Sequence, residues 1–180
     1  MELLPREGVM LMQVSLPIID GYLPDKYGKY ATNDNKYNGQ PSLSFPIKLT
    51  DLPIGTVTTA LVMLDYDAIP VSGFTWIHWT AANIPATMLE IPEDASQNNT
   101  FKMIQGRNST AGGLVGATDP LQTQRYAGPQ PPNKDHMYSL YVYALDTELP
   151  LKNGYWLNEF YQAIDSHLLN KVRIDFLSRK

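Results

Sequence analysis

The chain has 180 residues, a formal charge of −4, no cysteine, 18% charged and 43% hydrophobic side chains, which is ordinary for one domain built on one core. The absence of cysteine excludes disulfides, thiolate metal sites and cysteine nucleophiles. The lack of any Lys/Arg cluster argues against a nucleic-acid partner, and no apolar run approaches the ~20 residues of a membrane span. A single domain over residues 1–180 is expected, with residues 1–9 expected to lack order and no integral membrane association. Met1–Glu7 lacks the basic-then-apolar order of a secretory signal, so a cytoplasmic location is the default expectation.

Fourteen prolines and twelve glycines cut the chain into short runs rich in valine, isoleucine, tyrosine and tryptophan, which favours strands. Strands are predicted over Met10–Leu16, Ser42–Leu49, Val57–Asp65, Phe74–Ile84, Met137–Leu145 and Lys171–Leu177. In the last, Val172, Ile174 and Phe176 alternate with Lys171, Arg173 and Asp175, as a half-buried strand requires. Between the final two strands, Tyr155–Leu169 places Trp156, Phe160, Ala163, Ile164 and Leu168 near helical spacing. The polar stretches 31–41 and 93–124 are predicted to be long surface loops. This order of elements predicts a mainly β fold, an antiparallel β-sandwich with one or two short C-terminal helices.

The chemistry concentrates in two segments. The first runs Leu64-Asp65-Tyr66-Asp67-Ala68-Ile69-Pro70 into Gly73-Phe74-Thr75-Trp76-Ile77-His78-Trp79 and Asn83-Ile84-Pro85. The second is Tyr126-Ala127-Gly128-Pro129-Gln130-Pro131-Pro132, followed by His136-Met137-Tyr138. Strand alternation puts Asp65 and Asp67 on one face with Leu61 and Met63. Side by side at a sheet rim, two carboxylates would raise each other's pKa; taken alone, they read as organising the turn before Pro70. The same alternation groups His78 with Phe74, Trp76, Thr80 and Ala82. Taken alone, a histidine there reads as a core residue, and His136, past the Gly/Pro loop, as a solvent-exposed one. The prolines fix φ while Gly128 allows close backbone approach, which suits either a pocket wall or an ordinary connection. His167, inside the predicted helix, carries little functional weight.

Two histidines and a carboxylate could hold iron or zinc, but the H-x-D/E and H-E-x-x-H spacings are absent, so no metal is expected. Ser72 lies near Asp65, Asp67 and His78 without a G-x-S-x-G elbow. No Walker A or G-x-G-x-x-G pattern occurs, and no cofactor is expected.

Taken together, these two segments resemble the phosphatidylethanolamine-binding protein family and its bacterial Raf-kinase-inhibitor-like branch. The family's D-P-D-A-P, G-F-x-H-W and N-I-P elements are matched by Asp65, Asp67, Ala68, Pro70, Gly73, Phe74, His78, Trp79, Asn83, Ile84 and Pro85. Its G-P-x-P-P and H-R-Y elements are matched by Gly128, Pro129, Pro131, Pro132, His136 and Tyr138. Weaker similarity runs through Ser42–Phe45, Leu52–Thr56 and Ser166–Leu169. The chain departs from the pattern at three places: Tyr66 stands for a proline, Ile69 is extra, and Met137 stands for an arginine.

The resemblance implies a β-sandwich with a small pocket for an anion, either phosphate or a phosphorylated headgroup. Its ligand-binding residues would be Asp65, Asp67, His78, Gly128, Pro129, His136 and Tyr138, with no catalytic residue assigned. Imidazole N–H groups could bind an oxyanion that an ionised aspartate pair repels, which predicts weak or pH-dependent affinity. A non-enzymatic binding protein, modulating an unidentified protein partner, is the leading expectation, and the resemblance with the exposed aromatics raises a homodimer. Two alternatives stay open. One is an Asp/His-dependent hydrolase of small esters; the other is an interaction scaffold with a vestigial pocket, docking partners on the loop Tyr27–Tyr37.

Overall fold

The computed structural model describes residues 11–98 and 101–180. The order expectation for residues 1–9, and the start of the strand predicted from Met10, lie outside the described residues. Among the described residues ten strands form: β1 (Gln13–Ser15), β2 (Lys36–Tyr37), β3 (Gln40–Pro41), β4 (Ile47–Thr50), β5 (Thr58–Asp65), β6 (Trp76–Pro85), β7 (Glu90–Ile91), β8 (Ile104–Gln105), β9 (His136–Leu145) and β10 (Leu168–Ser178). The helices are short: α1 (Ile69–Ser72), α2 (Pro120–Thr123) and α3 (Leu157–Ala163).

The strands pair antiparallel throughout, in a five-stranded sheet ordered β10-β9-β5-β6-β8, a three-stranded sheet ordered β1-β4-β7, and the β2-β3 hairpin. All eight residues of β5 are buried, because this central strand is covered on both faces. Its Leu61 and Met63 pack with Ile47, Leu49, Ile91, Trp79 and Leu140 between the two larger sheets. Its Ala60, Val62 and Leu64 pack on the opposite side with Tyr155, Phe160 and Ile164 around α3. Phe45 centres the inter-sheet core, with Tyr27, Trp79, Tyr126 and Phe176 edge-on at 5.7 to 6.2 Å, the arrangement that ring quadrupoles favour.

Three sequence expectations are corrected. The alternation that grouped His78 with Thr80 and Ala82 fails, because β6 carries one extra residue there: Met63 pairs with Trp79 while Leu64 pairs with Ile77. The irregularity turns His78 and Trp79 to the same side, so Thr80 faces Tyr155 on the α3 side instead. The helix predicted over Tyr155–Leu169 is only α3. Its first turn is set by the Glu159 carboxylate accepting from the Trp156 amide at 2.6 Å, as a capping box does. It stops because residues from Leu168 onward join the ladder with β9, after Ser166 turns the chain at φ 69°. His167 therefore lies in a turn, half-exposed against Asp146.

The stretch 93–124 is not a simple surface loop either. Gln105, Asn108, Ser109 and Thr110 are buried, and they supply the hydrogen bonds that irregular backbone lacks. The Asn108 amide donates to the carbonyls of Gln122 and Arg125, both at 2.8 Å. Gln105 accepts from Trp79 Nε1 at 2.9 Å and from Ser96 Oγ at 2.7 Å. Among the described residues no helix is long and apolar enough to cross a membrane.

Candidate functional site

In antiparallel strands, the C-terminal end of one lies beside the N-terminal end of its neighbours. At one end of the five-stranded sheet β5 finishes at Asp65 while β6 and β9 begin at Trp76 and His136. A cavity of about 240 Å³ opens there. Asp65 and Ala68 come from the end of β5 and its turn, Val71 and Ser72 from α1, Trp76 and His78 from β6, and His136 and Tyr138 from β9. Ala127, Gly128, Gln130, Pro131 and Pro132 close one wall, with Gln40 and Thr110 completing it.

Asp65 is 3% exposed and both of its oxygens are used. Oδ1 accepts from the Ala68 amide at 3.0 Å and Oδ2 accepts from His136 Nδ1 at 2.7 Å. The turn-organising role and the wall role are thus combined in one carboxylate. His136 spends its second nitrogen, Nε2, on Asn133 Oδ1 at 2.8 Å. His78 differs. Its Nδ1 donates to the Ala127 carbonyl at 2.6 Å, while the Ala127 amide donates back to the His78 carbonyl at 2.9 Å. That reciprocal pair pins the Gly/Pro wall to β6 and leaves His78 Nε2 at the cavity without a hydrogen-bond partner among the described residues. The expectation that imidazole N–H groups line the cavity is therefore revised. His136 has no ring nitrogen to spare, and a neutral His78 with its proton on Nδ1 offers a lone pair.

Burial, only partly offset by the Ala127 carbonyl and Asp65, lowers the His78 pKa below its ordinary value, so the neutral ring is the favoured form. Burial first, then the Asp65 charge, pushes the Tyr138 phenol far above its usual range; it stays a neutral hydroxyl. Tyr138 packs edge-on to His78 at 5.1 Å and stacks on Phe176 at 6.0 Å, which seats the cavity floor on the inter-sheet core. Among the described residues no lysine or arginine lines the cavity.

Five of the seven residues expected at the site line this cavity: Asp65, His78, Gly128, His136 and Tyr138. Asp67 and Pro129 do not. Asp67 turns away, accepting from the Met137 amide at 2.9 Å with Lys134 Nζ at 3.8 Å, so the two aspartates do not share a face. Gly128 is required by protein backbone. A Cβ there would overlap the Tyr27 carbonyl oxygen and come within 2.7 Å of Pro41 Cβ. The departures from the family pattern also point outward: the Tyr66 hydroxyl meets that of Tyr141 at 3.0 Å, and Ile69 and Met137 are exposed.

Sequence reasoning did not assign Trp76, Val71, Gln40, Thr110 or Gln130 to the site. Trp76 carried a usable signal, two residues before His78 in the same strand. Gln40 and Thr110 carried none, since they arrive from distant segments. Ser72 Oγ bonds to the carbonyls of Ala68 and Phe74 at 3.0 and 2.9 Å, not to a histidine. In the Tyr27–Tyr37 loop, Tyr27 is buried, Tyr37 donates to Asp119 at 2.6 Å, and Tyr30 is exposed. Among the described residues no group of three or more His, Asp or Glu side chains is placed to hold a metal ion.

The fold and this cavity define an antiparallel β-sandwich protein with a small rim pocket behind a Gly/Pro wall. The chain belongs to the phosphatidylethanolamine-binding protein family, whose sequence profile matches residues 17–178. It is 54% identical over 158 residues to the uncharacterized protein YxkA of Bacillus subtilis, covering 88% of this chain and 94% of that protein. It is 36% identical over 135 residues to YbcL of Escherichia coli, covering 67% of this chain and 64% of YbcL. The crystal structure of YbcL superposes with a TM-score of 0.72 at 23% identity, covering 94% of this chain and 98% of that one. A phosphatidylethanolamine-binding protein homologue from Chlamydia trachomatis gives 0.73 at 23%, covering 95% and 97%. At that identity both likenesses are of fold.

Proposed function

We propose that this protein is a non-enzymatic binding module whose rim cavity holds one small oxyanion, inorganic phosphate or a phosphorylated headgroup. The observation that carries the reading is the unpartnered Nε2 of His78, held at the cavity while every other ring nitrogen and carboxylate oxygen of the wall is engaged. A polar group left open in an otherwise satisfied wall is where a ligand gains most. The volume of about 240 Å³ suits a ligand smaller than the drug-sized molecules that occupy pockets of roughly 300–1,000 Å³. A hydrolase with Ser72 as its nucleophile is not favoured, because the Ser72 hydroxyl is spent on backbone carbonyls.

The test is an NMR titration of His78, His136 and His167 with phosphate and with phosphoethanolamine. The His78 and His136 signals are expected to move together while His167, paired with Asp146, stays still. Three unmoved histidines would overturn the reading.

A further inference from the structure

The chemistry of the open nitrogen narrows what the cavity accepts. The Ala127 carbonyl can only accept, so the hydrogen bond at 2.6 Å places the His78 proton on Nδ1 and leaves Nε2, in the neutral ring, with a lone pair and no hydrogen. Burial favours that neutral ring. The other titratable groups facing His78 are Asp65 at the end of β5 and His136 and Tyr138 on β9; the Gly128–Pro132 wall and α1 bring none. With no lysine or arginine in the wall among the described residues, a bare anion pressed against His78 would meet lone pair against lone pair.

We propose that the group reaching His78 Nε2 carries its own proton, so that the cavity selects singly protonated phosphate, free or as a monoester, over sulfate and phosphodiesters. This rests on the oxyanion reading above and specifies its ligand class. Orthophosphate keeps a proton throughout the neutral range, whereas a monoester, whose second pKa is about 6, keeps one only at and below about that pH. Sulfate and diesters have none to give. A ligand hydroxyl then donates to Nε2, a bond that an oxyanion without a proton cannot make.

The experiment compares orthophosphate, phosphoethanolamine, sulfate and dimethyl phosphate on the intact protein by calorimetry, with the ¹⁵N signal of His78 Nε2 followed in parallel. At about pH 5.5, where the monoester still carries a proton, the first two are expected to bind at least about tenfold more tightly than the last two, the equivalent of one hydrogen bond to a charged partner. Affinity for phosphoethanolamine should fall as pH rises through about 6 to 8, while sulfate stays weak throughout. The Nε2 signal should keep the shift of an unprotonated acceptor in the complex. Free phosphate binding without the monoester, or the reverse, identifies which source of the shared group fits, and either supports the selection rule. Comparable binding of all four, or an Nε2 that becomes protonated on binding, would overturn the rule and leave the oxyanion reading standing. Binding by none would overturn both.

Discussion

His136 Nδ1 lies 2.7 Å from Asp65 Oδ2 with both residues buried, so a single hydrogen bond joins the first residue of β9 to the last residue of β5 across the cavity wall. The same carboxylate receives the Ala68 amide, which turns the chain into α1. Replacement by alanine leaves two buried donors without their acceptor. Asp65→Ala is expected to cost about 3–5 kcal/mol in urea unfolding, the range for removing one partner of a buried pair. Asp65→Asn keeps one acceptor oxygen and should recover roughly half of that. A loss below about 1 kcal/mol for the alanine variant would show that the pair contributes little to the folded state.

Acid should destabilise the protein partly through His78. Its folded-state pKa is held below the ordinary 6.5 by burial, so between those two values the unfolded chain binds a proton that the folded chain resists. The stability contributed by the neutral ring is complete above pH 6.5 and is lost as pH falls through that interval. Urea midpoints of the wild type and His78→Gln, measured near pH 7.5 and near pH 5, should show the steeper acid loss in the wild type. Equal losses would remove His78 from the linkage.

Gly128 is packed between the Tyr27 backbone and the Pro41 ring. The Tyr27 carbonyl and Pro41 occupy the space of a side chain, and its own amide donates to the Pro41 carbonyl at 2.8 Å. Gly128→Ala forces one of these segments outward and is expected to cost about 1–3 kcal/mol, the usual range for overpacking. Weaker ligand-induced shifts at His78 should accompany it, because the displaced wall includes Ala127. A variant with wild-type stability would mean that the Tyr27 loop yields freely.

Asn83 serves the fold and not the cavity. It adopts a left-handed φ of 57°, and its amide donates to the Leu149 carbonyl at 3.0 Å and accepts from the Leu149 amide at 2.8 Å. Asn83→Ala forfeits both bonds and strains the backbone, for a combined cost of about 2–4 kcal/mol. In the folded variant the His78 and His136 responses to phosphate should match those of the wild type. A lost response would tie the Leu149 segment to the cavity.

Much of the scaffold was legible in the chain itself. The apolar run ending at Asp65 and the aromatic run after His136 could only be buried strands, and the alternation of Val172 with Arg173 marked β10. Two motifs far apart in sequence identified five cavity residues before any coordinate. The side on which His78 lies was not legible. It depends on one extra residue in β6 opposite Met63 and Leu64, and that depends on the partner strand. Nor could periodicity show that Leu168 and Leu169 leave the helix for the ladder with β9. The polar stretch around Asn108 looked exposed by composition, yet those side chains are buried because they satisfy their own backbone.

The residue order by itself determined the strand content, the antiparallel layering and the family, since these follow from periodicity, turn chemistry and motif spacing that are local in the chain. Only the tertiary structure decided which side chains meet. It turned Asp67 outward and drew Trp76, Gln40 and Thr110 to the cavity. It also spent both nitrogens of His136 while leaving Nε2 of His78 open. Hydrogen-bond partnership is settled between segments distant in sequence, and a ring nitrogen's role as donor or acceptor is assigned by the neighbour that reaches it first.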